Sequence, residues 1–273
     1  MQLTYDYTGS VAVVTGAARG VGRAITHAFV AAGARVVAAD RDSDGLAETC
    51  RDLGDAAVAV AADITTPAGA QKIVAAAPER FGRLDFCVNH AAVAPHTSLL
   101  DERVEVWDTV YAVNCRGTFL MTQAAARVLI AQGDGGRIVN FSSGVSTRGS
   151  AGAAAYASSR AATESFTRVA AVELAVHDIL VNCVSPGLID TQPKPLPPSM
   201  ADSLSRRIPA LPLARPGEPE EVADLVLWLC SSGSTYLVGT VVHVDGGAGV
   251  GSRAGHDIVD EDVRYDWVTG RAR

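Results

Sequence analysis

The segment VVTGAARGVG, residues 13–22, decides the fold of this chain, because it joins an apolar run to a helical run through three closely spaced glycines. The run at 10–16 is short, β-branched and without polar alternation, which is typical of a strand buried on both faces. The residues from 21 to 32 favour a helix that ends at Gly33. A strand that turns directly into a helix in this way predicts the first half of a βαβ unit.

The three glycines predict a turn that binds an anion. Gly16, Gly20 and Gly22 allow the backbone to turn tightly and to approach a pyrophosphate, whose charge would lie at the N-terminus of the helix. A glycine pattern alone is a weak signal, but here a strand precedes it, a helix follows it, and an acidic residue, Asp40, ends the next strand. A tight turn without a ligand is the alternative interpretation.

Asp40 indicates which dinucleotide would bind. A carboxylate at the end of the second strand can accept hydrogen bonds from both ribose hydroxyls and would repel a 2′-phosphate, which favours NAD over NADP. Arg19 and Arg41 lie near it in the sequence and can offset part of that repulsion. Alternatively, Asp40 is a helix N-cap or a turn residue.

The same alternation of short apolar runs and longer alanine-rich stretches continues along the chain. It predicts an α/β fold of the Rossmann type, with a doubly wound parallel sheet of seven strands in a single domain, 1–248, followed by a tail, 249–273. The strands are expected at 10–16, 34–40, 56–63, 83–91, 136–143, 179–187 and 240–247, and the helices at 21–32, about 43–53, about 67–80, about 102–131, about 153–176 and 219–230. A proline-rich stretch at 190–200 is interpreted as the start of a mobile flap that extends to about 213.

Composition excludes several classes of function. A net charge of −7 argues against a nucleic-acid partner or an anionic membrane surface, and no apolar run is long enough to span a bilayer. The five cysteines contain no CxxC pair, which favours reduced thiols in a cytoplasmic protein, and no histidine spacing predicts a metal site.

Five motifs in this order identify a family resemblance: TGAARGVG, NHAA (89–92), NFSS (140–143), YASSR (156–160) and VSPGLIDT (184–191). The chain resembles the short-chain dehydrogenases/reductases from about residue 8 to 248. By resemblance, Asp63 lies beside the adenine, Asn89 stabilises the central sheet, and the segment 186–191 holds the nicotinamide through Thr191. With the groups named above, the residues expected to contact the cofactor are Gly16, Arg19, Gly20, Val21, Gly22, Asp40, Arg41, Asp63, Ile64, Asn89, Tyr156, Arg160, Pro186, Gly187, Ile189 and Thr191.

The resemblance also implies a catalytic set of Ser143, Tyr156, Arg160 and Asn114. Ser143 would hold the substrate oxygen, Tyr156 would exchange a proton with it, and Asn114 would hold a water in a proton relay. Since an unperturbed phenol has a pKa of about 10, a neighbouring cation has to favour the phenolate for Tyr156 to act near neutrality.

The chain departs from the family pattern at two places. NHAA replaces the more usual NNAG and puts His90 and Ala92 beside the cofactor, and Arg160 stands where the family has Lys. Arg160 keeps the positive charge and can bind ribose hydroxyls, but a guanidinium does not deprotonate and cannot pass a proton onward.

Three functions remain open at this point. The first is an NAD(H)-dependent oxidoreductase acting on a small-molecule secondary alcohol or ketone. The second is a non-redox enzyme on the same scaffold, namely a dehydratase, isomerase or cyclase. The third is a non-catalytic nucleotide-binding subunit. Pocket-facing candidates, mostly apolar or small, favour a hydrophobic or cyclic substrate, and they are Val93, His96, Val145, Arg148, Ser150, Leu188 and the flap at 190–213.

The resemblance further implies a homotetramer or homodimer that associates through the helices at about 102–131 and 153–176. The tail is either an anchor on a neighbouring subunit, through Tyr265 and Trp267, or a frayed terminus.

Overall fold

A computed structural model describes residues 4–191, 198–252, 265–266 and 271–272. Its main sheet has seven parallel strands in the order β3-β2-β1-β4-β5-β6-β7. They are β1 (Val11–Thr15), β2 (Arg35–Asp40), β3 (Ala57–Ala61), β4 (Phe86–Asn89), β5 (Gly136–Phe141), β6 (Ile179–Pro186) and β7 (Val241–Val244). The predicted fold class is confirmed.

Helices cover both faces of this sheet, which is why its strands are apolar without alternation. Along β1, Ala12 and Val14 face one core, with Ile25 and Phe29 of the first helix, whereas Val11 and Val13 belong to the opposite core. The helices are α1 (Gly20–Ala31), α2 (Ser43–Cys50), α3 (Pro67–Phe81), α4 (Val104–Tyr111), α5 (Thr118–Gln132), α6 (Ala154–Leu174), α7 (Pro198–Arg207) and α8 (Pro219–Cys230).

The strand order reverses between β1 and β4. Strands β2 and β3 are added on one side of β1, and β4 to β7 are added on the other side. The carboxyl ends of parallel strands meet at one edge, and a crevice opens there where the order reverses. The segments that follow β1, β2, β4, β5 and β6 therefore surround one cleft.

The long helical stretch expected at about 102–131 is present from Val104 to Gln132, but it is not α-helical throughout. Helix α4 ends at Tyr111, a wider π-helical turn occupies Ala112–Gly117, and α5 then runs from Thr118 to Gln132. The periodicity of the sequence does not reveal the extra residue of a π-turn, which is a frequent feature of functional sites.

Two further boundaries differ from expectation. Helix α2 stops at Cys50 rather than near 53. The expected flap contains a regular helix, α7, which begins at Pro198, a residue that favours the first position of a helix. Residues 192–197 of the flap lie outside the described residues.

Three further observations concern possible membrane spans, the cysteines and the tail. None of the described helices is both long and apolar enough to cross a membrane. All five cysteines are free thiols. In the tail, Tyr265–Asp266 pairs antiparallel with Arg271–Ala272 as β8 and β9, and Trp267, the other expected anchor, lies outside the described residues.

Candidate functional site

The glycine turn lies at the switch point of the sheet. Gly16 has a φ of +71°, a left-handed conformation that favours glycine. A Cβ on Gly22 would lie 2.0 Å from the carbonyl oxygen of Gly16, so only glycine allows the helix to begin this close to the turn. Gly20, the first residue of α1, lies next to Thr191, since a Cβ on Gly20 would be 3.2 Å from the Thr191 methyl group.

We name the two halves of the cleft after their predicted roles, the adenosine end and the catalytic end. The adenosine end has a volume of about 550 Å³. Six of the residues predicted to bind the cofactor line it, and they are Gly16, Arg19, Asp40, Arg41, Asp63 and Ile64. The fold thus brings together predicted residues from three segments, at the ends of β1, β2 and β3.

Asp40 is held in place by the backbone. Its Oδ1 accepts hydrogen bonds from the N–H groups of Arg41 at 2.7 Å and Asp42 at 3.1 Å, and its Oδ2 accepts one from Ala18 at 3.2 Å. A carboxylate offers about four acceptor positions, so capacity remains for a hydroxyl. Asp42, rather than Asp40, caps α2, where it accepts from the N–H of Gly45 at 3.0 Å.

The other half, the catalytic end, has a volume of about 710 Å³. The predicted residues that line it are Val21, Ser143, Tyr156, Arg160, Pro186, Gly187, Ile189 and Thr191. His90 and Ala92 line both ends, so the two volumes adjoin. Val145, Arg148 and Leu188 also line the catalytic end, and Val93 lines the adenosine end, whereas His96 and Ser150 line neither.

Arg160 points into the cleft and not to solvent. Only 4% of its surface is exposed, its Nη1 donates to the carbonyl of Phe141 at 2.8 Å, and its guanidinium carbon lies 5.2 Å from the centre of the Tyr156 ring. Its Nε is buried without a hydrogen-bond partner among the described residues. A buried guanidinium held by a neutral carbonyl keeps its full charge beside the phenol.

That charge changes the acidity of Tyr156. Burial would raise the pKa of the phenol, but the charge of Arg160, together with hydrogen bonds from Arg160 and Ser143, outweighs burial and holds the pKa below its usual value of 10.0. Ser143 and Arg160 therefore both act directly on Tyr156.

Glu164 organises the loop that carries Ser143. It lies one turn after Arg160 on α6, is 8% exposed, and accepts hydrogen bonds from the hydroxyls of Ser142, at 2.6 Å, and Ser146. In turn, the N–H of Ser146 donates to the carbonyl of Ser143 at 2.9 Å. This carboxylate thus connects the helix that carries Tyr156 to the loop that carries Ser143.

His90 stands between the two ends of the cleft. Its ring packs edge-on against Phe141, with centroids 5.0 Å apart, and its Nδ1 is buried without a hydrogen-bond partner among the described residues. That nitrogen faces the glycine turn, because a Cβ on Gly16 would lie 2.8 Å from it. Burial and the charge of Arg160 lower the pKa of His90 to about 4, so the ring is neutral near pH 7.

Asn89 and Asn114, like Gly20 and Gly22 of the glycine turn, line neither end of the cleft. The Asn89 amide donates to Thr122 at 3.0 Å and to Asn140 at 2.9 Å, and so links β4 to α5 and β5. The Asn114 amide exchanges two hydrogen bonds of 3.0 Å with the backbone of Val93 and donates a third, of 3.0 Å, to Ser159. These bonds use both N–H groups of Asn114, and its role in a proton relay stays a prediction.

Sequence reasoning missed Glu164, and it placed the flap at 190–213 beside the pocket without predicting helix α7 or naming its arginines. The spacing from Arg160 to Glu164, four residues on one helix, places Glu164 on the same face and is a signal that could have found it. No comparable signal marks Arg206 and Arg207, because the prolines before α7 hide the helix that directs them towards the catalytic end.

Comparison with known proteins gives consistent results. Residues 16–249 match the family model described as enoyl-(acyl carrier protein) reductase. A sorbitol dehydrogenase from Cereibacter sphaeroides is 35% identical over 248 residues, which cover 88% of this chain and 97% of that protein. A short-chain type dehydrogenase/reductase from Mycobacterium marinum superposes with a TM-score of 0.83 at 34% identity, covering 89% of this chain and 96% of the other. The chain belongs to the short-chain dehydrogenase/reductase family.

Short-chain dehydrogenases/reductases are oxidoreductases that use NAD or NADP. One solved member, a 3-ketoacyl-(acyl-carrier-protein) reductase from Brucella melitensis, is complexed with NADH and superposes on this chain with a TM-score of 0.80, at 31% identity, covering 89% of this chain and 99% of that one. The residues of the present short-chain dehydrogenase/reductase fit such a dinucleotide. Its two cleft volumes adjoin at His90, the glycine turn opens α1 between them, and the Asp40 carboxylate has acceptor capacity left.

Proposed function

We propose that this protein is an NAD(H)-dependent oxidoreductase that interconverts a small secondary alcohol and a ketone, with Tyr156 as the acid and base. The observation that carries the proposal is the placement of Tyr156 in the cleft beside Ser143 and Arg160, whose guanidinium carbon lies 5.2 Å from the centre of the phenol ring and whose charge holds the pKa of that phenol below 10.0. A phenol that is more acidic than usual is closer to the pKa at which a general acid–base catalyst works best near neutrality.

Each residue of the site has a distinct part in this proposal. The Ser143 hydroxyl orients the substrate oxygen beside Tyr156. In oxidation, the Tyr156 phenolate takes the hydroxyl proton of the alcohol, and in reduction, the phenol donates that proton to the carbonyl oxygen. A bound nicotinamide supplies or accepts the hydride. Arg160 stabilises the phenolate by its charge and does not itself carry the proton, because a guanidinium stays protonated in proteins.

NAD is proposed over NADP because Asp40 presents a fixed carboxylate at the adenosine end. The ribose hydroxyls can donate to that carboxylate, whereas a 2′-phosphate would be repelled. Arg19 and Arg41 line the same end and reduce the repulsion without removing the carboxylate.

Assembly as a homotetramer or homodimer stays a prediction for this chain. It is supported by apolar side chains on the outer faces of α4, α5 and α6. Those exposed to solvent include Trp107, Phe119, Val169 and Val172.

The test is a hydride-transfer assay with NADH and a panel of ketones, in which the absorbance of the reduced nicotinamide monitors the oxidation of NADH. The wild-type protein is expected to oxidise NADH with at least one ketone, and Tyr156→Phe is expected to lower kcat by about 10²- to 10⁴-fold, as loss of a general acid does. Binding of NADH, measured by fluorescence, should be retained in the variant.

Two outcomes would contradict the proposal. Turnover that survives in Tyr156→Phe removes the phenol from the chemistry. NADH binding without hydride transfer to any ketone, while another product forms from a substrate, indicates a dehydratase, isomerase or cyclase on the same scaffold.

A further inference from the structure

The catalytic end of the cleft is positively charged, although the protein as a whole is acidic. Four arginines line it, Arg148, Arg160, Arg206 and Arg207, and no Asp or Glu is among the described residues that line it. The chain has 30 acidic and 23 basic residues, giving a net charge of −7. Charge of one sign in a cleft concentrates ligands of the opposite sign.

Two of these arginines already have a role or a partner. Arg160 acts on Tyr156, as described above. Arg206 forms an ion pair with Asp202, one turn earlier on α7, at 2.6 Å, and both side chains are exposed. Arg148 and Arg207, by contrast, form no ion pair within the part of the chain that the structure describes.

Arg148 is fixed without being neutralised. Its Nη1 donates to the backbone carbonyl of Ala248 at 2.6 Å, which ties the loop after β5 to the segment after β7. A carbonyl is a neutral acceptor, so the hydrogen bond sets the direction of the guanidinium and leaves its charge uncompensated. The other donors of the guanidinium remain available to a ligand.

Arg148 lies close to the loop that carries Ser143. A Cβ on Gly144 would lie 3.8 Å from Arg148 Nη2, and Gly144 directly follows Ser143. The guanidinium is therefore close to the loop that orients the substrate oxygen. Arg207 lines the same volume from α7.

We propose that Arg148, assisted by Arg207, binds an anionic group of the substrate, a carboxylate or a phosphate. This inference deepens the proposed function and rests on it. Val145, Leu188 and Leu211 line the space and would hold the apolar part of the substrate. Arginine suits this task because its planar fork matches the oxygens of carboxylate and phosphate groups.

The first experiment compares matched probes in the NADH assay. The carboxylate pair is 3-oxohexanoate and its methyl ester, and the phosphate pair is dihydroxyacetone phosphate and dihydroxyacetone. The wild-type protein is expected to use the anionic member of at least one pair with a kcat/KM about tenfold higher, the scale of a hydrogen bond to a charged group. The pair that shows the preference identifies the source of the charge.

The second experiment removes the guanidinium. Arg148→Gln should raise KM for the anionic probe about tenfold and leave KM for its neutral partner and for NADH unchanged, and Arg148→Lys should retain part of the preference. Arg51→Gln removes the same charge from an exposed position that lines neither end of the cleft and should leave the preference intact.

Three results would overturn the proposal: no preference for either anion, an equal loss on both members of a pair in Arg148→Gln, or a higher KM for NADH in that variant. The last would assign the guanidinium to the phosphates of the cofactor.

A binding measurement separates this proposal from the proposed function. Tyr156→Phe saturated with NADH is titrated with the anionic probe, and the change in NADH fluorescence gives Kd without turnover. A Kd that Arg148→Gln weakens about tenfold in this background supports the anion site even where hydride transfer fails. Equal Kd values with and without Arg148 refute the site, whatever the outcome of the activity assay.

Discussion

The two ends of the cleft have similar volumes, about 550 and 710 Å³, but opposite charge. Three aspartates and two arginines line the adenosine end, whereas the catalytic end has four arginines and no acidic side chain among the described residues. The difference shows two uses of charge. In the proposed function, the carboxylate of Asp40 would select a ribose that carries a free 2′-hydroxyl, and the guanidinium of Arg160 would stabilise the phenolate of Tyr156.

Loss of the Arg160 charge should have the largest effect on the catalytic end. In Arg160→Met, burial of Tyr156 remains while the compensating charge is lost, so the pKa of the phenol should rise above 10.0. Alcohol oxidation needs the phenolate, and its rate increases with pH through that pKa. The alkaline rise of kcat/KM should therefore move to higher pH, with a loss of about 10²-fold or more near pH 8.

Arg160→Lys is the matched control, because it retains a cation on the same helical face. We expect it to keep or raise the rate, since lysine can also pass a proton through water. An unchanged pH profile in Arg160→Met would show that the guanidinium does not set the acidity of Tyr156.

At the adenosine end, Asp40→Asn removes the charge and keeps the shape. The ratio of kcat/KM for NAD to that for NADP should fall about tenfold, because a single charge repulsion near the protein surface contributes on the order of 1.4 kcal/mol. Asp63→Asn makes the same change elsewhere at this end, where it should leave the ratio unaltered. If both variants keep the wild-type ratio, Asp40 does not discriminate between the two cofactors.

The smallest expected effect concerns Glu164, an acidic residue near the basic end that does not line it. Glu164→Ala removes the acceptor that the hydroxyls of Ser142 and Ser146 share, so the loop that carries Ser143 should be held less firmly. We expect kcat to fall about tenfold, on the scale of a hydrogen bond to a charged group, with Kd for NADH unchanged.

Glu164→Gln retains one side-chain oxygen as an acceptor and should restore most of kcat. Equal kcat values in the wild type and Glu164→Ala would assign the carboxylate to packing alone. A weaker Kd for NADH in Glu164→Ala would instead place its effect on the cofactor.

Much of the fold followed from local pattern. The apolar runs at 10–16 and 136–143 contain strands of the central sheet, and the predicted class of fold is confirmed. The family resemblance supplied Ser143, Tyr156 and Arg160, and the structure places Ser143 and Arg160 beside one partner, Tyr156, in the same cleft. The π-turn at 112–117 and helix α7 were missed, because one depends on contacts with distant segments and the other follows a run of prolines.

The local sequence pattern was sufficient to predict the glycine turn, the strands of the parallel sheet and the position of Asp40 at the end of β2. Each of these features is marked by residues that are neighbours in the sequence. The direction of the Arg160 side chain, by contrast, could not be predicted from neighbouring residues. It depends on the Phe141 carbonyl and the Tyr156 ring, which β5 and α6 bring together only in the folded protein. The charge of the catalytic end likewise comes from arginines up to 59 residues apart in sequence, Arg148 to Arg207, whose common location no local pattern encodes.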